Sequence, residues 1–310
     1  MATGRRRIRP LVLTGALTLV LAVVGAGLWL INRPSSLSEE DTEAAPWEGR
    51  GQVRLMLAGD SMTHGADGDR TWRYHLWNHL EPHVEGLDFV GPFSAPATPE
   101  QIVPPELFGN EPTPGAPEGD PEGVEYLDPD FDQDHNARWG RTLADASTTI
   151  TRDVAVYRPD VLCVMIGIND LLHPITAEEM EGRLRAYVAG ARSASPKIRI
   201  LFAEAPPTVI ADQDQGFALR LYVYNELVRE LSAELSTPES PVVSFDLAGA
   251  EKWDVETDTY DGTHPDDSGE IKIAAGFADA LSREFGLGPG YPRPLPIAPA
   301  EAGGEGTAAP

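Results

Sequence analysis

A single cysteine, Cys163, stands in a chain of 310 residues. No disulfide can form within the chain, and no cysteine cluster can hold zinc. The run Val161-Leu162-Cys163-Val164-Met165-Ile166 reads as a buried strand, where a free cysteine acts as a small core residue. Lysine is almost as scarce: Lys197, Lys252 and Lys272 are the only lysines among 24 basic residues. The formal net charge is −25, an acidic excess that argues against nucleic acid or an anionic lipid surface as the main partner. No H-E-x-x-H or similar pattern links the histidines, and His64, His75, His79, His83 and His173 read as surface or capping residues. Asp128, Asp130, Asp132 and Asp134 alternate as calcium ligands would, but lack the glycine and distal glutamate of an EF-hand loop. Neither a metal nor an organic cofactor is expected.

Long apolar runs are also rare, and the one present lies at the N-terminus. Arg5, Arg6, Arg7 and Arg9 lie in a basic stretch, residues 1–10, ahead of an uncharged stretch from Leu11 to Ile31. That length suffices for a membrane-spanning helix. Only Arg33 follows closely, before Glu39, Glu40 and Asp41, so the charge asymmetry puts the N-terminus in the cytoplasm and the remainder outside. A cleaved signal peptide is the competing reading, although its apolar region is normally about 7–15 residues. Residues 32–51 read as an acidic linker. Residues 288–310, rich in Pro, Gly and Ala, read as a disordered tail.

Residues 52–287 are enough for one well-buried domain and too few for two ordinary ones. Strands are expected at Val53–Ala58, Leu87–Val90, Val161–Ile166, Ile198–Phe202 and Val242–Phe245. Helices are expected at Trp72–Leu80, Arg141–Tyr157, Thr176–Ala194 and Phe217–Leu235, with a closing helix from near Ser268. Glu179 stands at capping-box spacing from Thr176. Such alternation predicts an α/β fold, a three-layer α/β/α sandwich around a five-stranded parallel sheet with right-handed crossovers. The segment 95–134 breaks the pattern: it is acidic, rich in Pro and Gly, and contains no lysine or arginine. It reads either as a functional loop bordering the cleft or as a solvated excursion.

Four strings carry the chemistry: Gly59-Asp60-Ser61, a glycine at Gly140, Gly167-Ile168-Asn169-Asp170, and Asp261-Gly262-Thr263-His264. A serine hydroxyl is a poor nucleophile until a base takes its proton; Ser61 is the candidate nucleophile and His264 the candidate base. Asp261 lies three residues earlier, so one turn of chain can aim its carboxylate at the imidazole. Ser61 and Asn169 each follow an expected strand, at the carboxyl edge where sheets of this kind bind ligands.

In order and content these strings resemble the SGNH hydrolases, the grouping of GDSL esterases and lipases, over about Gln52 to Phe285. The resemblance implies a flavodoxin-like fold, Ser61 as nucleophile, and Asp261 and His264 as its partners. It further implies an oxyanion hole built from the Ser61 and Gly140 backbone N–H groups and the Asn169 side chain. Val53–Met56, Gly59–Gly65, Trp72-Arg73-Tyr74-His75-Leu76-Trp77 and Asp88–Gly91 look like the third family of carbohydrate esterases, which includes acetyl xylan esterases. The departure is His135-Asn136-Ala137-Arg138-Trp139-Gly140, where those relatives usually carry H-x-G-H-S-G. His135 opens this segment and is a candidate for shaping the cleft. Trp139 and Trp253 are candidates for stacking on a sugar face or for core packing.

Three functions remain open. One is an extracytoplasmic O-deacetylase taking an acylated carbohydrate or another ester as substrate, held to the membrane by its N-terminal helix. The second is a lipase, lysophospholipase or thioesterase on the same fold. The third is a non-catalytic carbohydrate-binding surface protein. Short against long acyl preference separates the first two.

Overall fold

The computed structural model describes residues 51–102 and 123–297. Five parallel strands form the sheet in the order β2-β1-β4-β5-β6: β1 Val53–Gly59, β2 Leu87–Phe89, β4 Val161–Met165, β5 Arg199–Ala203 and β6 Val242–Phe245. A sixth, β3 Asn136–Ala137, pairs in parallel with Ala58 and Gly59 of β1. β4 already occupies the other edge of β1 along Leu55–Gly59. β2 and β3 therefore share one edge, β2 beside Val53–Leu55 and β3 beside the carboxyl end.

Crossover handedness distributes the helices. α1, Thr71–Leu80, links β1 to β2, whereas α2 Leu143–Tyr157, α3 Ala177–Ala194 and α4 Gln215–Leu235 carry the chain the other way across the sheet. Right-handed crossovers put these two sets on opposite faces. The closing helix α5, Asp267–Phe285, packs with α1, while α3 packs with both α2 and α4. The three-layer α/β/α reading is the observed architecture.

Two capping boxes start helices. Thr176 and Glu179 form the expected one at α3; Thr142 and Asp145 form a second at α2, which therefore begins two residues after Arg141. Strands β1 and β4 are apolar along almost their whole length because helices cover both faces. Every residue of β4 is buried, including Cys163, whose thiol pKa is pushed up by burial.

Composition misplaced one boundary. Beyond Gly288 the chain stays on the domain: the Tyr291 N–H bonds Asp279 Oδ1 at 2.6 Å, and Arg293 reaches Glu251 Oε1 at 2.7 Å. The Tyr291 ring also packs against the core and lies 4.7 Å from the His79 ring, so the segment is held to the domain as far as Arg293. The expected anchor 11–31, the linker to residue 50 and the tail from 298 lie outside the described residues. No helix among the described residues is long and apolar enough to cross a membrane.

Candidate active site

β1 ends at Gly59, and a single helical turn, Ser61–His64, follows at the carboxyl edge of the sheet. Asp60 caps it: its Oδ1 accepts the Met62 N–H at 3.1 Å. The other carboxylate oxygen is buried without a partner among the described residues. Burial lifts the Asp60 pKa to about 7; the Met62 N–H opposes the rise and the nearby Asp170 charge adds to it. Ser61 is the first residue of the turn, where the backbone N–H has no partner within the helix.

The other end of this turn rests on a buried cation. Arg73 is 0 % exposed, and its guanidinium donates to Thr63 O at 2.9 Å, His64 O at 3.2 Å and Gln133 O at 2.8 Å. It also donates to the Tyr126 hydroxyl, which in turn donates to His64 O at 2.8 Å. A cation at a helical C-terminus faces the negative end of the peptide dipoles. Tyr126 and Gln133 come from the acidic segment, so its described C-terminal part packs beneath the nucleophile turn.

His264 reaches this turn from a closed loop between Thr259 and Pro265, which pair across it. Its Nε2 lies 3.0 Å from Ser61 Oγ, and its Nδ1 lies 2.7 Å from Asp261 Oδ2. Asp261 Oδ1 also accepts the backbone N–H groups of Thr263, at 2.9 Å, and His264, at 2.7 Å. Burial pushes the Asp261 pKa up, but these hydrogen bonds together outweigh it and hold the carboxyl below its ordinary value. Asp258, a neighbouring acid, is turned elsewhere, to Lys272 Nζ at 2.6 Å and Ser268 Oγ at 2.7 Å.

β3 brings the next block to the same edge. Gly140 follows it with φ +71°, a left-handed backbone that side-chain-bearing residues rarely adopt. Asn169 lies in the turn after β4, and one N–H of its amide donates to Arg141 O at 3.2 Å. The amide has a second N–H to offer. Asp170 ties the two blocks together: Oδ2 accepts the Leu143 N–H at 2.7 Å, and Oδ1 meets Arg183 at 2.5 Å. Between them, Gly167 takes φ +121°, where any Cβ would lie 2.5 Å from the Tyr224 ring.

The site residues expected from the sequence, Ser61, Gly140, Asn169, Asp261 and His264, thus come from the ends of adjacent strands and one closing loop. Trp139 is at the site but stacks on His264, with ring centroids 4.4 Å apart at 23°. Tyr260 lies nearly parallel to the same imidazole at 5.8 Å and borders a cavity of about 350 Å³ with Asp69, Arg70 and Glu270. Trp253 is a packing residue, half-buried against the core with its Nε1 donating to Pro207 O at 3.1 Å. His135 is fully buried rather than at the rim of the cleft, and burial holds its pKa well below the ordinary value. His64 is buried too and bonds the Trp139 N–H, contrary to its reading as a surface or capping residue. Two of the four alternating aspartates point to protein: Asp128 pairs with Arg70 at 2.5 Å, and Asp132 accepts the Phe89 and Asp134 N–H groups. Among the described residues no three potential metal ligands converge.

Sequence reasoning missed His64, Arg73, Tyr126 and the Asp170 clamp. His64, Arg73 and Asp170 stood inside the strings Gly59–Gly65, Trp72–Trp77 and Gly167–Asp170, but with no role attached to them, and nothing in the sequence pointed to Tyr126.

The profile of the GDSL-like lipase/acylhydrolase family matches residues 115–270, half of the chain. No curated protein sequence matches. Among solved structures, a family 3 carbohydrate esterase from Talaromyces cellulolyticus is 22% identical with a TM-score of 0.57, covering 76% of this chain and 99% of its own. An acetyl esterase mutant with an acetate ion is 23% identical with a TM-score of 0.56, at 76% and 99% coverage. The Clostridium thermocellum family 3 carbohydrate esterase is 21% identical with a TM-score of 0.54, at 76% and 97% coverage. At these identities the likeness establishes the shared fold.

Proposed function

The chain belongs to the GDSL-like lipase/acylhydrolase family and is an SGNH-type serine esterase, and from that premise we propose that it removes acetyl groups from carbohydrate esters through an acyl-enzyme on Ser61. The observation that carries the chemistry is the unbroken relay from Asp261 through His264 to Ser61, with contacts of 2.7 and 3.0 Å. In the proposed cycle His264 Nε2 takes the Ser61 hydroxyl proton as Oγ attacks the acyl carbon. Asp261 holds the proton on Nδ1 and faces the imidazolium that forms. The negative oxygen of the tetrahedral intermediate is met by the Ser61 and Gly140 N–H groups and by the Asn169 amide. His264 then protonates the departing sugar oxygen. Water, deprotonated by the same imidazole, attacks the acetyl-serine; acetate leaves and Oγ recovers its proton.

The acetyl and carbohydrate parts are supported by the resemblance over Val53–Gly91 and by the −25 charge, which disfavours anionic lipid interfaces. The cavity beside Tyr260, with its aromatic wall and carboxylates, suits the hydroxyl-rich alcohol half of such an ester. An extracytoplasmic position is part of the proposal and rests on the arginines before the apolar run 11–31.

The purified domain should hydrolyse p-nitrophenyl acetate far faster than the decanoate or palmitate, and should release acetate from acetylated xylan or a wall glycan. Faster turnover of long-chain esters with activation at a lipid interface would replace this reading with a lipase. Acetyl preference without release from any glycan would remove the carbohydrate assignment and leave the esterase.

A further inference from the structure

We propose that His64 is a positioning residue that locks the Arg138–Trp139 peptide, one peptide before the Gly140 N–H, against the nucleophile turn, a role that rests on the reading of Gly140 as an oxyanion donor. His64 sits three residues after Ser61 on the same helical turn and is 6 % exposed. Its Nδ1 accepts the Trp139 N–H at 3.1 Å. An imidazole nitrogen that accepts carries no proton, so in the neutral ring the proton lies on Nε2. That nitrogen is 3.2 Å from Ala95 O and donates to it. The two bonds fix the ring's tautomer and its orientation.

Gly140 itself gives the loop little purchase. A Cβ placed there would meet nothing within 4 Å, so side-chain packing does not hold the backbone in place at this point. Its position depends on backbone and flanking bonds: Arg141 N–H on Arg138 O at 3.2 Å, which closes the turn, Arg138 N–H on Gly59 O at 3.3 Å, Trp139 N–H on His64, and Asn169 on Arg141 O. Of these, the His64 bond is the one that ties the loop directly to the turn bearing Ser61. It also governs the base, because the ring of Trp139 lies flat on His264. One side chain thereby sets the distance between nucleophile and oxyanion glycine and the wall behind the imidazole. His135 reinforces it from the same strand region: its Nε2 lies 3.3 Å from the same Ala95 carbonyl, and its Nδ1 accepts the Ala137 N–H at 3.1 Å.

Two amide side chains separate the two halves of the imidazole. Asparagine places an oxygen near the imidazole Nδ1 position and keeps an acceptor for Trp139. Glutamine places its amide near Nε2 and keeps the donor to Ala95 without that acceptor. The test measures hydrogen exchange at the Trp139 amide together with kcat and KM for p-nitrophenyl acetate in wild type, His64→Ala, His64→Asn and His64→Gln. Protection of Trp139 should survive in wild type and His64→Asn and be lost in the other two. The kcat should fall about 100-fold in His64→Ala and His64→Gln, the loss expected when a reacting geometry shifts by about 1 Å, with little change in KM. His64→Asn should recover most of it even where its melting temperature matches that of His64→Gln. Full Trp139 protection in His64→Gln, or kcat that tracks melting temperature across the three variants, would overturn the proposal. A wild type inactive on every ester would instead refute the assigned chemistry, and the exchange pattern would still decide what His64 holds.

Discussion

Replacing Asp60 by asparagine should raise stability above neutral pH and raise it progressively less as the solution is acidified. The carboxyl is 1 % exposed, one of its oxygens lacks a partner, and burial lifts its pKa from 3.8 to about 7. A raised acid favours the fold fully below its unfolded pKa, and that contribution is lost as pH climbs through the folded one. The window therefore runs from about pH 4 to pH 7. Within it the stability difference between Asp60→Asn and wild type should grow by about 1.36 kcal/mol per pH unit, reaching at most about 4 kcal/mol. In a domain of this size each kcal/mol moves the melting temperature by about 2–4 °C, so the gap should widen by about 8–16 °C between pH 4 and pH 8. Asparagine caps helices as well as aspartate. The amide nitrogen left unpartnered in place of Oδ2 adds a constant offset that does not alter the slope. Urea or thermal unfolding of both proteins at pH 4.5, 6 and 8 measures it. A difference that stays flat with pH would show that Asp60 is ionised in the fold and that its surroundings stabilise the charge.

Asp261→Asn should keep the fold and lose most of its kcat, because the amide can present its N–H₂ to His264 Nδ1 and so favour the wrong tautomer; full activity on p-nitrophenyl acetate would require another acid at the imidazole. Asn169→Ala should lower kcat by about 100-fold or more with a smaller change in KM, and an effect confined to KM would make it a ground-state contact. Asp170→Ala should destabilise the domain by about 3 kcal/mol in urea titration, since it leaves the Leu143 N–H unbonded and removes a buried partner of Arg183; a loss of activity with unchanged stability would place Asp170 in the chemistry instead.

Long periodic elements were legible in the sequence. The run Val161–Ile166 and the Thr176–Glu179 capping box needed no tertiary information, because period and cap chemistry are local. β3 was not legible: two residues after a long polar segment have no period, and only the free edge of β1 makes Asn136–Ala137 a strand. Ser61, Asp261 and His264 were legible because their chemistry restricts residue type. His64 and Arg73 were not, since a buried imidazole or guanidinium is satisfied by backbone carbonyls and amides that any sequence supplies. The tail was not legible for another reason: the Tyr291 N–H and the Arg293 guanidinium find the carboxylates of Asp279 and Glu251, which lie far from them in sequence. Trp139 was placed correctly near the cleft, but its partner is the imidazole, a contact created by the closing loop.

The central claim is that Ser61 becomes acylated. Purified protein should be mixed with p-nitrophenyl acetate, quenched in acid during turnover and mapped by peptide mass spectrometry, with a fluorophosphonate probe in parallel. The account predicts acetyl and phosphonyl adducts on Ser61 alone, and neither adduct nor turnover in Ser61→Ala. Ester hydrolysis that persists in Ser61→Ala, or an adduct on another residue that follows turnover kinetics, would contradict it.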